Sequence, residues 1–387
     1  MNRIENLLKG QKVEWKTLGD EEYFLIANNK RKPVKASERN SGDIPYYGAN
    51  NIQDYVDGYT HDGTYILIAE DGTKSLENYS IQWASGKFWA NNHVHVVGCK
   101  ENIDSRFVFH YLQTMNFIPF LSGGDRAKLT KAKLVEIPIP LPPLSVQQEI
   151  ANILDKFTAL EAELEAELDC RKRQYQYYRD TLLTFGDNVE WKTLGEVGEF
   201  VRGTGLQKKD FTETGVPAIH YGQIYTKYGN SVTETISFVS EELAKKLRKV
   251  NKGDVVITNT SENLEDVGKS LVYLGEKQAV TGGHATIIKP NENLLGKYLV
   301  YYTQTNMFSD QKRKYAKGTK VIDVSATDMQ KIQIPIPPIE EQKRIVNILD
   351  KFDALTNSIT EGLPKEIELR RKQYEYYREK LLSFPEN

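Results

Sequence analysis

The chain has 387 residues, of which 39% are hydrophobic and 27% charged, and its formal net charge is −2. This length predicts two folded units rather than one, and the hydrophobic share excludes a disordered chain. The small net charge taken alone argues against a nucleic-acid partner, but basic residues cluster at 28–35, 125–133, 245–252 and 311–320, so the total conceals basic patches. Acids gather at 160–169. Only Cys99 and Cys170 are present, which excludes a disulfide framework and suits a reducing compartment. With no apolar run long enough for a bilayer and no apolar leader in MNRIENLLKGQK, a cytoplasmic protein without membrane contact is expected.

The phrase VEWKTLG at 13–19 opens a first block and returns letter for letter at 189–195. Such self-similarity marks a duplicated unit. In the first block TYILIAEDG (64–72) and NNHVHVVG (91–98) are β-branched or apolar runs closed by Gly or Asp, the pattern of strands. DSRFVFHYLQTM (104–115) carries its aromatics at helical spacing. IPIPLPP (137–143) follows. Proline removes a backbone donor and fixes φ, so an extended linker is expected there, neither helix nor central strand. Beyond it Ile150, Ile153, Phe157, Leu160, Leu164, Leu168, Tyr175, Tyr178, Leu182 and Phe185 recur at steps of mainly three and four. They predict one amphipathic helix of about 40 residues, roughly 60 Å long.

The second block repeats the plan with other letters. GDVVITNTS (253–261) and KSLVYLGE (269–276) predict strands, and GKYLVYYTQTNMFSDQ (296–311) has helical spacing. IQIPIPP (332–338) is a second linker, followed by a stripe through Ile345, Ile348, Phe352, Leu355 and Ile359 and then Tyr374, Tyr377 and Leu381. Gly362-Leu363-Pro364 predicts a break in this second helix and none in the first. Two stripes of this length most simply cover each other as an antiparallel pair. Scattered anchors align the blocks: Tyr47-Gly48 with Tyr221-Gly222, NNHVHVV (91–97) with GGHATII (282–288), and Gly123-Gly124 with Gly318-Thr319. The expected fold is therefore α+β: two similar mixed domains with twisted, mainly antiparallel sheets at 1–144 and 187–338, separated by two long antiparallel coiled-coil helices at 145–186 and 339–387. Shared spacing with unlike letters points to one scaffold carrying two different surfaces.

Catalytic patterns are missing from the sequence. His61, His93, His95, His110, His220 and His284 show no zinc spacing, and there is no P-loop, G-x-G-x-x-G or G-x-S-x-G. AEDGTK (69–74) is too weak a match to a nuclease pattern, and the Pro-Pro pairs lack the amide and aromatic of a base methyltransferase. No metal site and no cofactor of its own are expected. Aromatics are instead plentiful in polar, cationic company, which suits phosphate neutralisation and contact with bases. The candidate DNA-binding residues are Lys30, Arg31, Lys32, Tyr46, Tyr47, Arg126, Lys128 and Lys131 in the first block, and Lys208, Lys209, His220, Tyr221, Lys312, Arg313, Lys314 and Lys317 in the second. Both blocks place a glycine-containing basic loop just ahead of the proline segment, at 123–131 and 312–320.

The duplicated proline segment and helix, with the EWKTLG starts and GKFWANNHVHVV (86–97), closely resembles the specificity subunit of bacterial type I restriction-modification systems over essentially the whole chain. The resemblance implies two target recognition domains, each reading half of a split site in double-stranded DNA. It implies helices that set the gap and dock modification subunits, two of them. The specificity subunit itself would be non-catalytic: a partner methylates adenine with S-adenosylmethionine, and restriction subunits cleave with ATP and Mg. The unequal blocks imply an asymmetric site. The alternative is a two-headed protein-protein adaptor without DNA binding.

Overall fold

The computed structural model describes residues 7–123, 127–186, 188–358 and 360–384. The chain forms two compact units, Met1–Glu163 with Leu369–Asn387 and Leu164–Glu368. The division falls inside the helices Leu144–Leu182 and Gly362–Leu382. Each unit thus owns one block, the start of the tail that follows it and the end of the other tail.

The first unit holds a six-stranded sheet in the order Phe24–Ile26, Val94–Cys99, His61–Ala69, Ile81–Ala90, Ser41–Tyr47, Ile52–Val56. Neighbours are antiparallel except Ser41–Tyr47 against Ile81–Ala90. The period-two rule sends Ile66 and Ile68 to a cluster with the helix Ser105–Leu112, and Leu67 to an opposite cluster with Tyr47, Phe88 and Val96. Both faces are covered, which is why the strand reads as a continuous apolar run.

The second unit has two sheets. Gly198–Arg202, Ala285–Pro290, Val255–Thr258, Ser270–Tyr273 and Ser231–Val232 form one; Ser237–Val239, Val216–Ile219, Ala279–Thr281 and Arg248–Val250 form the other. The run 296–311 is not one helix but two, Gly296–Tyr302 and Asn306–Tyr315. Thr305 divides them, its hydroxyl accepting from the Phe308 amide as the second N-cap.

The proline segments are strands rather than linkers, and they explain the repeated phrase. Pro138–Leu141 pairs antiparallel with Glu14–Thr17, setting Pro140 opposite Trp15; Gln333–Ile336 pairs with Glu190–Thr193, setting Pro335 opposite Trp191. The Leu18 and Gly19 amides donate to Ile137 and Val135 at 3.0 Å each, and Leu194 and Gly195 donate to Ile332 and Gln330 at 2.8 and 3.0 Å. A two-stranded ribbon has an unpaired outer side on each strand, so proline survives there as it would not in a sheet interior. A Cβ at Gly19 would stand 2.8 Å from that of Val135, which leaves glycine as the residue for this close approach. Each block is clasped where it begins and ends.

The first tail is one unbroken helix, Leu144–Leu182, whereas the second breaks into Ile339–Asn357 and Gly362–Leu382 at the expected place. Gly362 has φ +76°, and a Cβ there would lie 2.4 Å from the Ala354 carbonyl oxygen. In the first unit Phe157 packs on Tyr374 and Tyr377, with ring centroids 6.3 and 5.5 Å away, and Glu161 meets Arg371. In the second, Phe352 packs on Tyr175 and Tyr178 at 6.5 and 5.2 Å. The helices therefore pair antiparallel inside each unit, and Leu164 and Leu355 are half-buried in the second. The stripe differs from expectation at its ends. Ile150, Ile345 and Leu381 are fully buried, but Ile153, Ile348 and Leu182 are only half-buried, and Leu154, Leu349 and Leu183 take the interior places. At those ends the helix faces a globular core instead of another helix, so the buried face turns by one residue. Ile359 lies outside the described residues.

Two repeated residues fix each tail to its block. Gln147 accepts from the Asp104 amide at 2.9 Å and donates to the Pro142 carbonyl at 2.8 Å. Gln342 accepts from the Leu295 amide at 2.9 Å and donates to Pro337 and Asn293 at 2.9 and 2.8 Å. Two turns on, Asp155 accepts from Arg106 and His110, and Asp350 from Lys297 and Tyr301. The letters QQEIANILDKF (147–157) and QKRIVNILDKF (342–352) are alike because both anchors must be made twice.

Candidate nucleic-acid interface

The expected cations sort by burial. Lys30, Lys32 and Lys131 in the first unit, and Lys208, Lys209, Arg313 and Lys314 in the second, are exposed. Lys128 and Lys317 reach solvent but are paired, Lys128 with Glu70 at 2.9 Å and Lys317 with Asp328 at 3.2 Å. Arg31 is mostly buried: its Nη1 donates to Glu70 at 2.6 Å and to the Val94 carbonyl at 2.8 Å. Arg126 lies outside the described residues.

Four expectations are corrected by burial. Tyr46 is 1% exposed, its hydroxyl accepting from the Val34 amide and its ring covered by the Arg39 guanidinium at 4.1 Å. Tyr47 is a core residue beside Phe88. His220 is buried, its Nδ1 accepting from the Gly222 amide at 3.2 Å. Lys312 is buried with its Nζ donating to the Val267 and Glu265 carbonyls at 2.6 and 3.2 Å, and burial pushes its pKa down to about 8. IPYYGANN (44–51) begins in a strand, AIHYGQIYTKYGN (218–230) runs from strand to helix, and 312–315 is helical. These segments are structured, so Tyr46 and Tyr47 serve the interior, while Tyr221, Tyr225, Tyr228 and Tyr315 are half-buried.

The two blocks match in backbone more closely than in letters. The Tyr46 and Tyr47 positions pair in parallel with Trp89 and Ala90, and Ala218 and Ile219 pair in the same way with Val280 and Thr281. Tyr47 thus corresponds to Ile219, two residues from the Tyr221 suggested by the shared Tyr-Gly. The match of NNHVHVV with GGHATII holds. The Glu70 amide donates to the His93 carbonyl at 2.8 Å and the Asn259 amide to the His284 carbonyl at 2.9 Å; Leu129 donates to Glu70 at 2.8 Å and Val324 to Asn259 at 2.9 Å.

At this equivalent place, the end of the central strand, the side chains differ. In the first unit Glu70 holds Arg31 and Lys128 and stands 3.8 Å from the buried His95. Burial opposes its ionisation, but the bonds from Arg31 and Lys128 outweigh it and hold its carboxyl below the usual range. In the second unit the same two places are Asn259 and Thr286, joined by a neutral hydrogen bond of 2.8 Å. Nearer the surface Asp71 meets His93 Nδ1 at 2.5 Å, while Thr260 meets His284 Nδ1 at 3.0 Å with Tyr221 4.7 Å from that ring. An adjoining turn opens in both with a glycine at positive φ, Gly123 at +90° and Gly318 at +105°. Sequence reading aligned the glycines and the segment around His93 but set aside Glu70 and Asp71 within AEDGTK, because only the fold sets residue 71 beside residue 93.

One fold made twice, clasped and anchored by the same residues and differing at its strand ends, defines a duplicated recognition module. Residues 12–169 and 187–369 match the family described as the type I restriction modification DNA specificity domain, and the chain belongs to that family. A putative type I restriction enzyme specificity subunit of Haemophilus influenzae is 48% identical over 395 residues, covering 98% of each chain. A type I restriction enzyme specificity subunit of Escherichia coli is 36% identical over 411 residues, covering 100% of this chain and 98% of the relative. The crystal structure of the S subunit of a type I restriction-modification system from M. genitalium has the same fold, with a TM-score of 0.62 at 17% identity over 98% of each chain.

Proposed function

We propose that this chain is the sequence-specific DNA-binding subunit of a type I restriction-modification complex, in which each unit reads one half of a bipartite, asymmetric site in double-stranded DNA. The tails set the unread gap and dock two methyltransferase subunits. The chain supplies no catalytic group: adenine methylation with S-adenosylmethionine belongs to the modification subunits, and ATP- and Mg-dependent cleavage to restriction subunits. The observation that carries this reading is the contrast between the anchors and the strand ends. Gln147 with Asp155 and Gln342 with Asp350 are the same residues doing the same work, while Glu70, Asp71 and His95 become Asn259, Thr260 and Thr286. A duplicated adaptor for one protein partner has no use for such divergence at matched positions.

Salt titration of the full chain, assembled with its methyltransferase subunits, on duplex DNA tests the reading. Each lost phosphate contact reduces the slope of log affinity against log salt by about 0.9. Lys208→Ala with Lys209→Ala, at exposed positions, should lower the slope by about 2. Lys312→Met should leave the slope unchanged, since its ammonium is spent on carbonyls. A flat salt response of the wild-type complex would leave the adaptor as the surviving function.

A further inference from the structure

We infer that the exposed couples at the ends of the central strands, Asp71 with His93 in the first unit and Thr260 with His284 in the second, are specificity-determining residues, and that Asp71 accepts a hydrogen bond from the exocyclic amino group of a cytosine or adenine. The inference rests on the proposed reading of half-sites and names where in each unit a base is read.

The couples occupy one place in the fold. The amide preceding each, on Glu70 or Asn259, donates to the carbonyl of the histidine, so backbone alone brings residue 71 to 93 and residue 260 to 284. Neither couple is needed to build the sheet. His93 and Asp71 keep 49% and 36% of their side-chain surface in solvent, and the second unit makes the same strand end from neutral partners. Beneath each couple lies an internally satisfied layer, the mostly buried Glu70 and Arg31 with Lys128 at their solvent side in one unit, and the buried Asn259 with Thr286 in the other. Such support holds a surface group in one geometry, which base-edge discrimination requires.

The chemistry selects the ligand atom. A carboxylate on a surface that meets DNA is repelled by phosphate, and the partners it can gain are donors. In the major groove these are the amino groups of cytosine N4 and adenine N6, and acids accept from the former. Asp71 has room for one. Its Oδ1 meets His93, and Lys128 stands 3.8 Å from its Oδ2, beyond hydrogen-bond distance. Thr260 and His284 offer a neutral hydroxyl and imidazole instead, so the second unit reads a different base at the corresponding step.

The test places the complete methyltransferase complex in a host lacking its own modification and reads the methylome. The wild type should yield one bipartite motif; no such motif would defeat the parent proposal, whatever these residues do. Asp71→Asn and His93→Gln should each relax or change a base of the first half-site, shifting preference at that base about 10- to 100-fold, with the second half-site and the gap unchanged. Thr260→Val should do the converse. Unchanged half-sites at wild-type modification levels overturn the inference, and so does an even loss of modification across all sequences by a variant that melts like wild type, the mark of a phosphate contact. If Asp71→Asn melts well below wild type, His93→Gln and Thr260→Val decide by the same criteria.

Discussion

Replacing Gln342 with leucine removes an anchor without removing volume. The side chain has no exposed surface and satisfies three backbone groups: the Leu295 amide and the carbonyls of Pro337 and Asn293. Leucine fills much of the space but leaves the amide and the Pro337 oxygen buried and unpaired. Each such orphan costs about 1–3 kcal/mol, so Gln342→Leu should destabilise the second unit by about 2–6 kcal/mol. For a unit of this size each kcal/mol lowers the melting temperature by about 2–4 °C, which puts the expected loss at about 4–24 °C. Lys343→Leu, on the exposed side of the same helix, should stay within about 0.5 kcal/mol of wild type. Scanning calorimetry on the full chain reads both. A Gln342→Leu protein that melts within about 2 °C of wild type would refute the anchoring role. The methylome gives a second reading: a second unit loosened on its helix should accept neighbouring gap lengths while keeping its half-site.

Inserting four residues, about one helical turn or 6 Å, after Leu164 should lengthen the unread gap by one or two base pairs and leave both half-sites alone; methylome mapping that shows altered half-sites with the old gap removes the ruler. Acid should weaken the first unit more than the second. Burial lowers the pKa of His61, His95 and His110 in the first, but only of His220 in the second. A histidine lowered in the folded state binds fewer protons folded than unfolded, so its contribution is complete above about pH 6.5 and is lost as pH falls below it. Melting temperature should therefore drop between pH 7 and 5. His110→Tyr, which copies Tyr301 at the equivalent anchor, should flatten that drop, and an equal slope in wild type and variant would contradict the cause assigned.

The helices were legible because periodicity is local: Leu144–Leu182 and the break at Gly362 follow from spacing and one glycine-proline pair. The clasp was not, since Trp15 and Pro140 are far apart in the chain and proline discourages a strand at any one position without saying that a two-stranded edge accepts it. Aromatic residues misled for a related reason. Tyr46 and Tyr47 sit among Pro, Gly and Asn, the company of a loop, but their strand lies parallel to Ile81–Ala90 and turns both inward. Lys312 looked like one cation of a basic run until the helix Asn306–Tyr315 carried it to the inner face. What local patterns omit is direction, and direction decides whether a tyrosine or a lysine meets solvent.

Direction also explains why the anchors are duplicated so faithfully. Successive base pairs along a duplex are about 3.4 Å apart, so a unit that slipped on its helix by that much would read its half-site in the wrong register. One hydrogen bond between flexible side chains tolerates part of such a slip. A buried glutamine gripping backbone on two segments, followed two turns later by an aspartate gripped by two side chains, tolerates far less, because both ends of the contact would have to break together. Asp155 and Asp350 are held by different partners, arginine with histidine and lysine with tyrosine. The blocks have thus been free to change even the residues that grip the tail, provided that the aspartate stays held from two sides. The constraint lies on the attachment rather than on the letters, as it must if one register has to serve two unlike half-sites.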